Sequence, residues 1–324
     1  MRRIIILKAE LMIATKSLRI DYEDVTAVTD LTIEIPAGQI YGLVGPNGAG
    51  KTSTIKALAG IIEPTYGEIY IGGVDLALDH QAALQLVGYM PDFPPVYENL
   101  KVWEYCDVFA AAYLIPRHER LERCRYWIEK VNLTSKWDAY TRDLSRGMRQ
   151  RLVLAKTLLP NPKIILLDEP ASGLDPIARR EFRDLLKSVA QQGVTILISS
   201  HILTELSDLC NAVGIMEKGK MIVSGSIEEI RQRMGTSSEL IIKLAADNPG
   251  HRNKLNEILS THPSIADIRN SSGVDFSMRF SATRTEAAKL LADLVARQVS
   301  ISDFYIKEAN VEDIFFKIGA KEVS

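Results

Sequence analysis

The stretch YGLVGPNGAGKTS, residues 41–53, restricts the fold more than any other part of the chain. The apolar run QIYGLVG is almost unbroken and ends in glycine, as a buried parallel strand does. The following KTSTIKALAGII reads as a helix. Between them, Gly45, Gly50, Lys51 and Thr52 fit the pattern G-x-x-x-x-G-K-[ST]. Gly45, Gly48 and Gly50 let backbone N–H groups turn inward around a β-phosphate without Cβ clashes, and the helix aims its positive end at the same charge. Lys51 is placed to neutralise the β and γ phosphates, and Thr52 to offer its hydroxyl to Mg²⁺. Pro46, Asn47, Ala49 and Ser53 complete the candidate nucleotide loop.

A strand, a phosphate loop and a helix in that order call for an α/β fold, with the ligand at the carboxyl ends of parallel strands. KIILLDE and VTILISS supply two more buried strands, each preceded by a helical stretch, whereas LTIEIPAG alternates at period two like a half-buried antiparallel strand. The second part of a nucleotide site should be an acid at the end of a neighbouring strand, and IILLDEP provides two. Asp168 is suited to hold Mg²⁺ through water, and Glu169 to act as general base on the water attacking a γ-phosphate. A further anion site is suggested by LSRGMRQRL, residues 144–152. There Ser145 can cap a helix whose first N–H groups are free, and Gly147 permits close approach.

Composition narrows the class. The chain has 324 residues, 46% hydrophobic and 25% charged, enough for a large core and two domains. A net charge of -2 argues against a protein that binds mainly by neutralising nucleic-acid phosphates, so no nucleic-acid partner is expected. Cys106, Cys124 and Cys210 have no metal-ligand spacing and are odd in number, which fits buried thiols in a reducing compartment. No apolar run approaches the roughly 20 residues of a membrane span. MRRIIILKAELM is cut short of a signal-peptide core by Lys8 and Glu10, and reads as a leader strand or an early start ahead of Met12.

The phosphate loop, LSRGMRQRL, ILLDEP with ASGLDP running on from it, and ISSHIL together resemble, in order, the motifs of an ABC-family ATPase over about residues 12 to 230. The resemblance implies a P-loop NTPase core of ABC type with a helical subdomain at about residues 93–158. It implies that Tyr22 stacks on adenine, that Ser172, Gly173, Leu174 and Asp175 form the D-loop, and that His201 is the switch histidine on the γ-phosphate. It also implies that Ser145, Arg146 and Gly147 act in trans, completing the ATP site of a second nucleotide-binding subunit in a head-to-tail dimer. With one phosphate loop and no internal repeat, that partner is a second polypeptide, the same or different.

The chain departs from the family pattern in three places. Arg146 stands where the signature has a second glycine, Met148 where it often has glutamine, and Asp92 where a glutamine usually helps to hold water on Mg²⁺. A carboxylate at 92 can accept from such water but adds negative charge and cannot donate as an amide can. Residues from about 93 to 143 show helical spacing in LKVWEYCDVFAAAYL and HERLERCRYWIEKV, with Trp103, Tyr105, Trp127 and Trp137 as packing aromatics. By resemblance, this subdomain carries the groove for a helix of a membrane subunit, lined by Pro94 to Leu100.

After GTSSE a second domain is expected, dividing the chain into 1–235 and a small C-terminal α+β domain at 236–324. It reads as βαββαβα, with a Thr283/Glu286 capping box and a turn at Ser271-Ser272-Gly273. It lacks a phosphate loop and an acid pair, so regulation or dimer contact fits it better than catalysis. It resembles the C-terminal extension on ATPase subunits of bacterial ABC exporters. The expected function is therefore that of an ATP- and Mg²⁺-dependent ATPase subunit of an ABC exporter. It would be cytoplasmic, peripheral on the cytoplasmic face of the membrane, and coupled to separate transmembrane permease subunits. The alternative is a soluble ABC ATPase of translation or DNA repair, but those types carry paired cassettes or a long coiled-coil insertion, which this chain lacks.

Overall fold

The structure, a computed structural model, describes residues 11–93, 96–233, 238–270 and 273–307. The chain divides into two compact units between Ile227 and Glu228.

In the first unit, β1 (Leu11–Tyr22) and β2 (Val25–Pro36) pair antiparallel. β2 alternates exposed and buried residues because only one of its faces meets the core. β3 (Ile40–Val44) is buried throughout and leads into α1 (Lys51–Leu58). There follow β4 (Tyr66–Ile71), β5 (Val74–Asp75), α2 (His80–Leu84) and β6 (Val87–Met90). A helical segment then contains α3 (Val102–Ala112), α4 (Arg117–Lys130) and α5 (Arg146–Leu158). The chain returns to the sheet with β7 (Ile164–Leu167), α6 (Pro176–Ala190), β8 (Thr195–Ser200), α7 (Leu203–Ser207), β9 (Ala212–Glu217) and β10 (Lys220–Gly225). α8 (Ile227–Arg233) crosses the division, with Ile227 in the first unit and the rest of the helix in the second.

The ten strands form one mixed sheet in the order β5-β4-β1-β2-β10-β9-β3-β8-β7-β6. Its parallel part runs β9-β3-β8-β7-β6. β3, β7 and β8 are buried at every position, which explains their unbroken apolar sequences. Register decides where the chemistry falls. Val44 lies opposite Ser200 and Leu167 opposite Ile198, so the residues that follow β3, β7 and β8 emerge side by side at one edge.

The helical segment packs through aromatics, as its sequence suggests. The rings of Tyr105 and Phe109 are 4.9 Å apart, those of Trp103 and Trp137 stack at 6.4 Å, and Trp127 is buried. Cys106 and Cys124 are buried and Cys210 partly so, all three as free thiols. Pro94 and Pro95, part of the expected groove, lie outside the described residues.

The second unit contains β11 (Ser238–Leu244), α9 (Pro249–Thr261), β12 (Ile265–Asn270), β13 (Asp275–Phe280), α10 (Arg284–Ala296) and β14 (Ile301–Lys307). The antiparallel sheet order is β12-β13-β11-β14. One sheet face, with Leu240, Ile242, Phe276 and Met278, packs on Leu255 and Leu290 of the two helices. The capping box forms: the Thr283 N–H donates to Glu286 Oε2 at 2.9 Å, and the Glu286 N–H to Thr283 Oγ1 at 3.3 Å. The closing helix expected at VEDIFFKI, the turn residues Ser271 and Ser272, most of GTSSE and the leader residues 1–10 lie outside the described residues. No helix among the described residues is long and apolar enough to cross a membrane.

Candidate functional site

The loop after β3 has the shape its glycines permit. Gly48 and Gly50 adopt φ of +83° and +99°, and a Cβ on Gly45 or Gly50 would collide with the carbonyls of Met216 and Ala27 respectively. The Ala49 N–H donates to the Pro46 carbonyl, while Asn47 and Gly48 are exposed and Ser53 half-buried in the first turn of α1. Lys51 folds back into this loop. Its Nζ donates to the carbonyls of Gly45 at 2.7 Å and Pro46 at 3.2 Å, and lies 3.5 Å from Glu169 Oε1.

Asp168, at the end of β7, is 2% exposed and still well partnered. Its Oδ1 accepts from Thr52 Oγ1 at 3.1 Å and from Ser199 Oγ at 2.7 Å. Ser199 Oγ also accepts the Glu169 N–H at 2.8 Å, so one buried hydroxyl fixes both members of the acid pair. Glu169 needs that support because its φ is +46°, a region that costs a non-glycine residue on the order of 1 kcal/mol and clusters at functional sites. The turn aims its carboxylate between Lys51 and His201, whose Nδ1 is 2.8 Å from Glu169 Oε2.

Asp92 joins this group. Burial first, and then the negative charges of Asp168 and Glu169, raise its pKa above the ordinary aspartate value, while Arg146 and His201 oppose the rise. Tyr89, on β6, is pushed up to about 12 by burial and the charges of Asp168 and Asp92. Asp92 Oδ1 is buried without a hydrogen-bond partner among the described residues. The Thr52 hydroxyl, the Asp168 carboxylate and the orphaned Asp92 oxygen are hard donors of the kind Mg²⁺ takes, so the residues present fit the ion.

The remaining sequence candidates lie in the signature segment, the 172–175 loop and at Tyr22. Ser145 caps α5, accepting the Met148 N–H at 3.3 Å. A Cβ on Gly147 would touch Ala178, and the Arg146 guanidinium presses against Gly173 and lies 5.7 Å from the Phe93 ring centre. The signature segment thus packs on the 172–175 loop of its own chain. In that loop Ser172 donates its N–H to the Glu169 carbonyl, Gly173 has φ of +66°, Leu174 is buried, and Asp175 caps α6 through the N–H groups of Ile177 and Ala178, each at 3.0 Å. Tyr22 ends β1 and is 44% exposed. Ser199 was not singled out from the sequence. Its signal was a small hydroxyl residue one place past the strand position opposite Leu167, in the otherwise apolar run TILIS.

Known proteins similar to this chain include ABC transporter ATP-binding proteins. The family model described as ABC transporter matches residues 28–172. A model described as an AAA domain, putative AbiEii toxin of a type IV toxin–antitoxin system, matches 138–208, a segment that omits the phosphate loop. The chain is 31% identical over 308 residues to Nod factor export ATP-binding protein I of Cupriavidus metallidurans, covering 95% of this chain and 97% of that protein. It is 30% identical over 309 residues to the human phospholipid-transporting ATPase ABCA3, covering 94% of this chain but only 18% of the human protein. A solved ATP-binding subunit of an ABC transporter superposes with a TM-score of 0.63 at 29% identity, covering 69% of this chain and 93% of that one.

Proposed function

This chain belongs to the ABC transporter ATP-binding proteins, and from that premise we propose that it is the ATP-hydrolysing subunit of an exporter, working as a dimer on separate transmembrane subunits. The observation that carries the hydrolytic part is the convergence of Lys51, Thr52, Asp168, Glu169 and His201 at the ends of three adjacent parallel strands. The likeness to an export ATP-binding protein along nearly the whole of both chains supports the exporter part.

In this reading Lys51 leaves the carbonyls of Gly45 and Pro46 for the β and γ phosphates of ATP, and Tyr22 stacks on the adenine. Glu169 accepts a proton from the attacking water, while His201 orients the carboxylate and reaches the γ-phosphate. Thr52 and Asp168 hold Mg²⁺, with Asp92 accepting from its water. When bound, the ion offsets charge on the phosphate oxygens. Ser145, Arg146 and Gly147 receive the γ-phosphate of the partner subunit, so closure requires ATP. Hydrolysis removes that anchor and reopens the dimer. The C-terminal unit serves regulation or dimer contact.

Mixing two crippled chains tests the composite site. Ser145→Arg puts a long cation in a hydroxyl-sized position and removes the helix cap, while Lys51→Ala disables the phosphate loop. Each alone should abolish ATP-driven dimerisation and turnover. Mixed, they form dimers with one site carrying both defects and one carrying neither, so ATP binding at one interface should return. A monomer that hydrolyses ATP at full rate regardless of Ser145 would refute the reading.

A further inference from the structure

A polar chain that the proposed reaction does not use lies behind the candidate site. Arg179, on α6, donates from Nη2 to the Leu174 carbonyl at 3.2 Å, and its Nη1 is 2.9 Å from Glu205 Oε1. Glu205, on α7, accepts from Ser200 Oγ at 3.4 Å, and Ser200 Oγ in turn accepts the Ile202 N–H at 3.0 Å. Ser200 and Ile202 flank His201, whose ring meets Glu169. The links therefore run from the 172–175 loop to the backbone on either side of the histidine. Glu205 is well shielded, with its side chain 12% exposed against 37% for Arg179, so this ion pair is screened less than one at the open surface.

We infer that Arg179 is a positioning residue: its guanidinium, held by the Leu174 carbonyl on one edge and Glu205 on the other, passes the state of the 172–175 loop to His201. A guanidinium is planar and its donors have fixed directions, so a shift of the carbonyl on one edge turns the group bound to the other. Ammonium on a flexible stem would not transmit that rotation. Arg179 Nε is buried without a partner among the described residues, which leaves one donor in reserve. Arg179, Glu205, Ala171 and Ser172 also line a shared cavity of about 20 Å³, so the group has a little room to turn. The inference rests on the reading that the 172–175 loop faces a second subunit, because only then does the loop have a signal to pass. Partner engagement would set the loop, the loop would set Arg179, and Arg179 would set the histidine that holds the catalytic carboxylate.

The experiment uses the full chain, with ATP as the probe. Arg179→Lys keeps a cation beside Glu205 but cannot span both partners. Its kcat should fall ~10- to 100-fold, the size expected of a misplaced catalytic group, with KM little changed. Glu205→Gln should act alike, and the double variant should be no worse than either single one, because both cut the same link. The charge-reversed pair Arg179→Glu/Glu205→Arg separates this role from simple stabilisation. An ion pair that only stabilises is restored by reversal, whereas a carboxylate at 179 cannot donate to the Leu174 carbonyl and kcat should stay low. Wild-type kcat in Arg179→Lys, or full recovery in the reversed pair, would overturn the inference. If the reversed pair does not fold, Arg179→Lys decides alone. Dimerisation on ATP by Glu169→Gln reports separately on the reading beneath: its loss overturns both, while its persistence beside a fully active Arg179→Lys overturns only the coupling role.

Discussion

Glu169→Gln should separate ATP binding from hydrolysis, each with an expected sign and size. Lys51 Nζ is 3.5 Å from Glu169 Oε1, and both side chains are largely shielded, 6% and 14% exposed. At an effective dielectric constant of ~20 the gross attraction at that distance is about 5 kcal/mol. Desolvation returns most of it, leaving a charge-assisted contact of about 1 kcal/mol net. Lys51 must give up this contact to reach the phosphates, so the neutral amide should tighten ATP binding by about fivefold. Thr52, Asp168 and the loop backbone stay in place. Turnover should move the other way and fall by ~10²- to 10⁴-fold, as expected when a positioned general base is removed. Binding is read by fluorescent-nucleotide titration, hydrolysis by phosphate release, and the trapped dimer by size-exclusion chromatography with ATP. Hydrolysis near the wild-type rate would exclude Glu169 as the base. A tenfold weaker ATP affinity would show that Glu169 does not compete with the phosphates for Lys51.

Two further substitutions test the surroundings of the acid pair. Ser199→Ala leaves the buried Asp168 Oδ1 and the Glu169 N–H without their shared partner and should cost about 2 kcal/mol of stability, read by urea denaturation, together with a fall in turnover. A change within experimental error would make the serine a passive neighbour. Asp92 has its folded pKa raised above 3.8, so the fold binds its proton more tightly than the unfolded chain does. The associated stability is complete below 3.8 and is lost as pH rises through the folded value. Nucleotide-free Asp92→Asn should therefore melt higher than wild type at pH 7, with the gap closing towards pH 3.8, and its hydrolysis should depend differently on Mg²⁺ concentration. Identical melting curves at pH 7 would argue against the electrostatic account.

Motifs contiguous in sequence were legible, because a phosphate loop, a buried strand ending in acids and a capped helix each carry their geometry within about ten residues. The strand-to-helix transition at Val44 to Lys51 and the Ser145 cap both follow from local residue types. Contacts made by register were not legible. Ser199 reaches Asp168 because β7 and β8 run parallel with Leu167 opposite Ile198, and no pattern within either strand states that alignment. The left-handed turn at Glu169 is hidden for a similar reason: nothing about a glutamate predicts φ of +46°, which the surrounding contacts impose. Arg179 and Glu205 read simply as charges on two helices until the fold sets them 2.9 Å apart. The β4 and β5 strands are not legible in the sequence either, since β4 has only two buried positions, Ile69 and Ile71, and β5 has none.

Two of the three departures from the family pattern, Asp92 and Arg146, carry opposite charges. Replacing an amide by a carboxylate beside Asp168 and Glu169 brings three acids together, and the field of the other two is part of what raises the Asp92 pKa. Arg146 supplies a cation where a glycine would supply none, and it acts on Asp92 against that field. It is held there by contacts a glycine could not make, with the Phe93 ring next to Asp92 and with Gly173. A side chain at 173 would occupy the space of the guanidinium, and Gly173 also needs its φ of +66°, so a single glycine serves both the loop conformation and the docking of the arginine. The unusual base therefore offsets part of what raises the pKa of the unusual acid, and Gly173 leaves room for the arginine. Restoring either position alone to the family residue leaves the other charge without its counterpart, so Arg146→Gly should lower any ATP hydrolysis more in the presence of Asp92 than in an Asp92→Gln background. Equal effects of Arg146→Gly in the two backgrounds would show that the charges act independently.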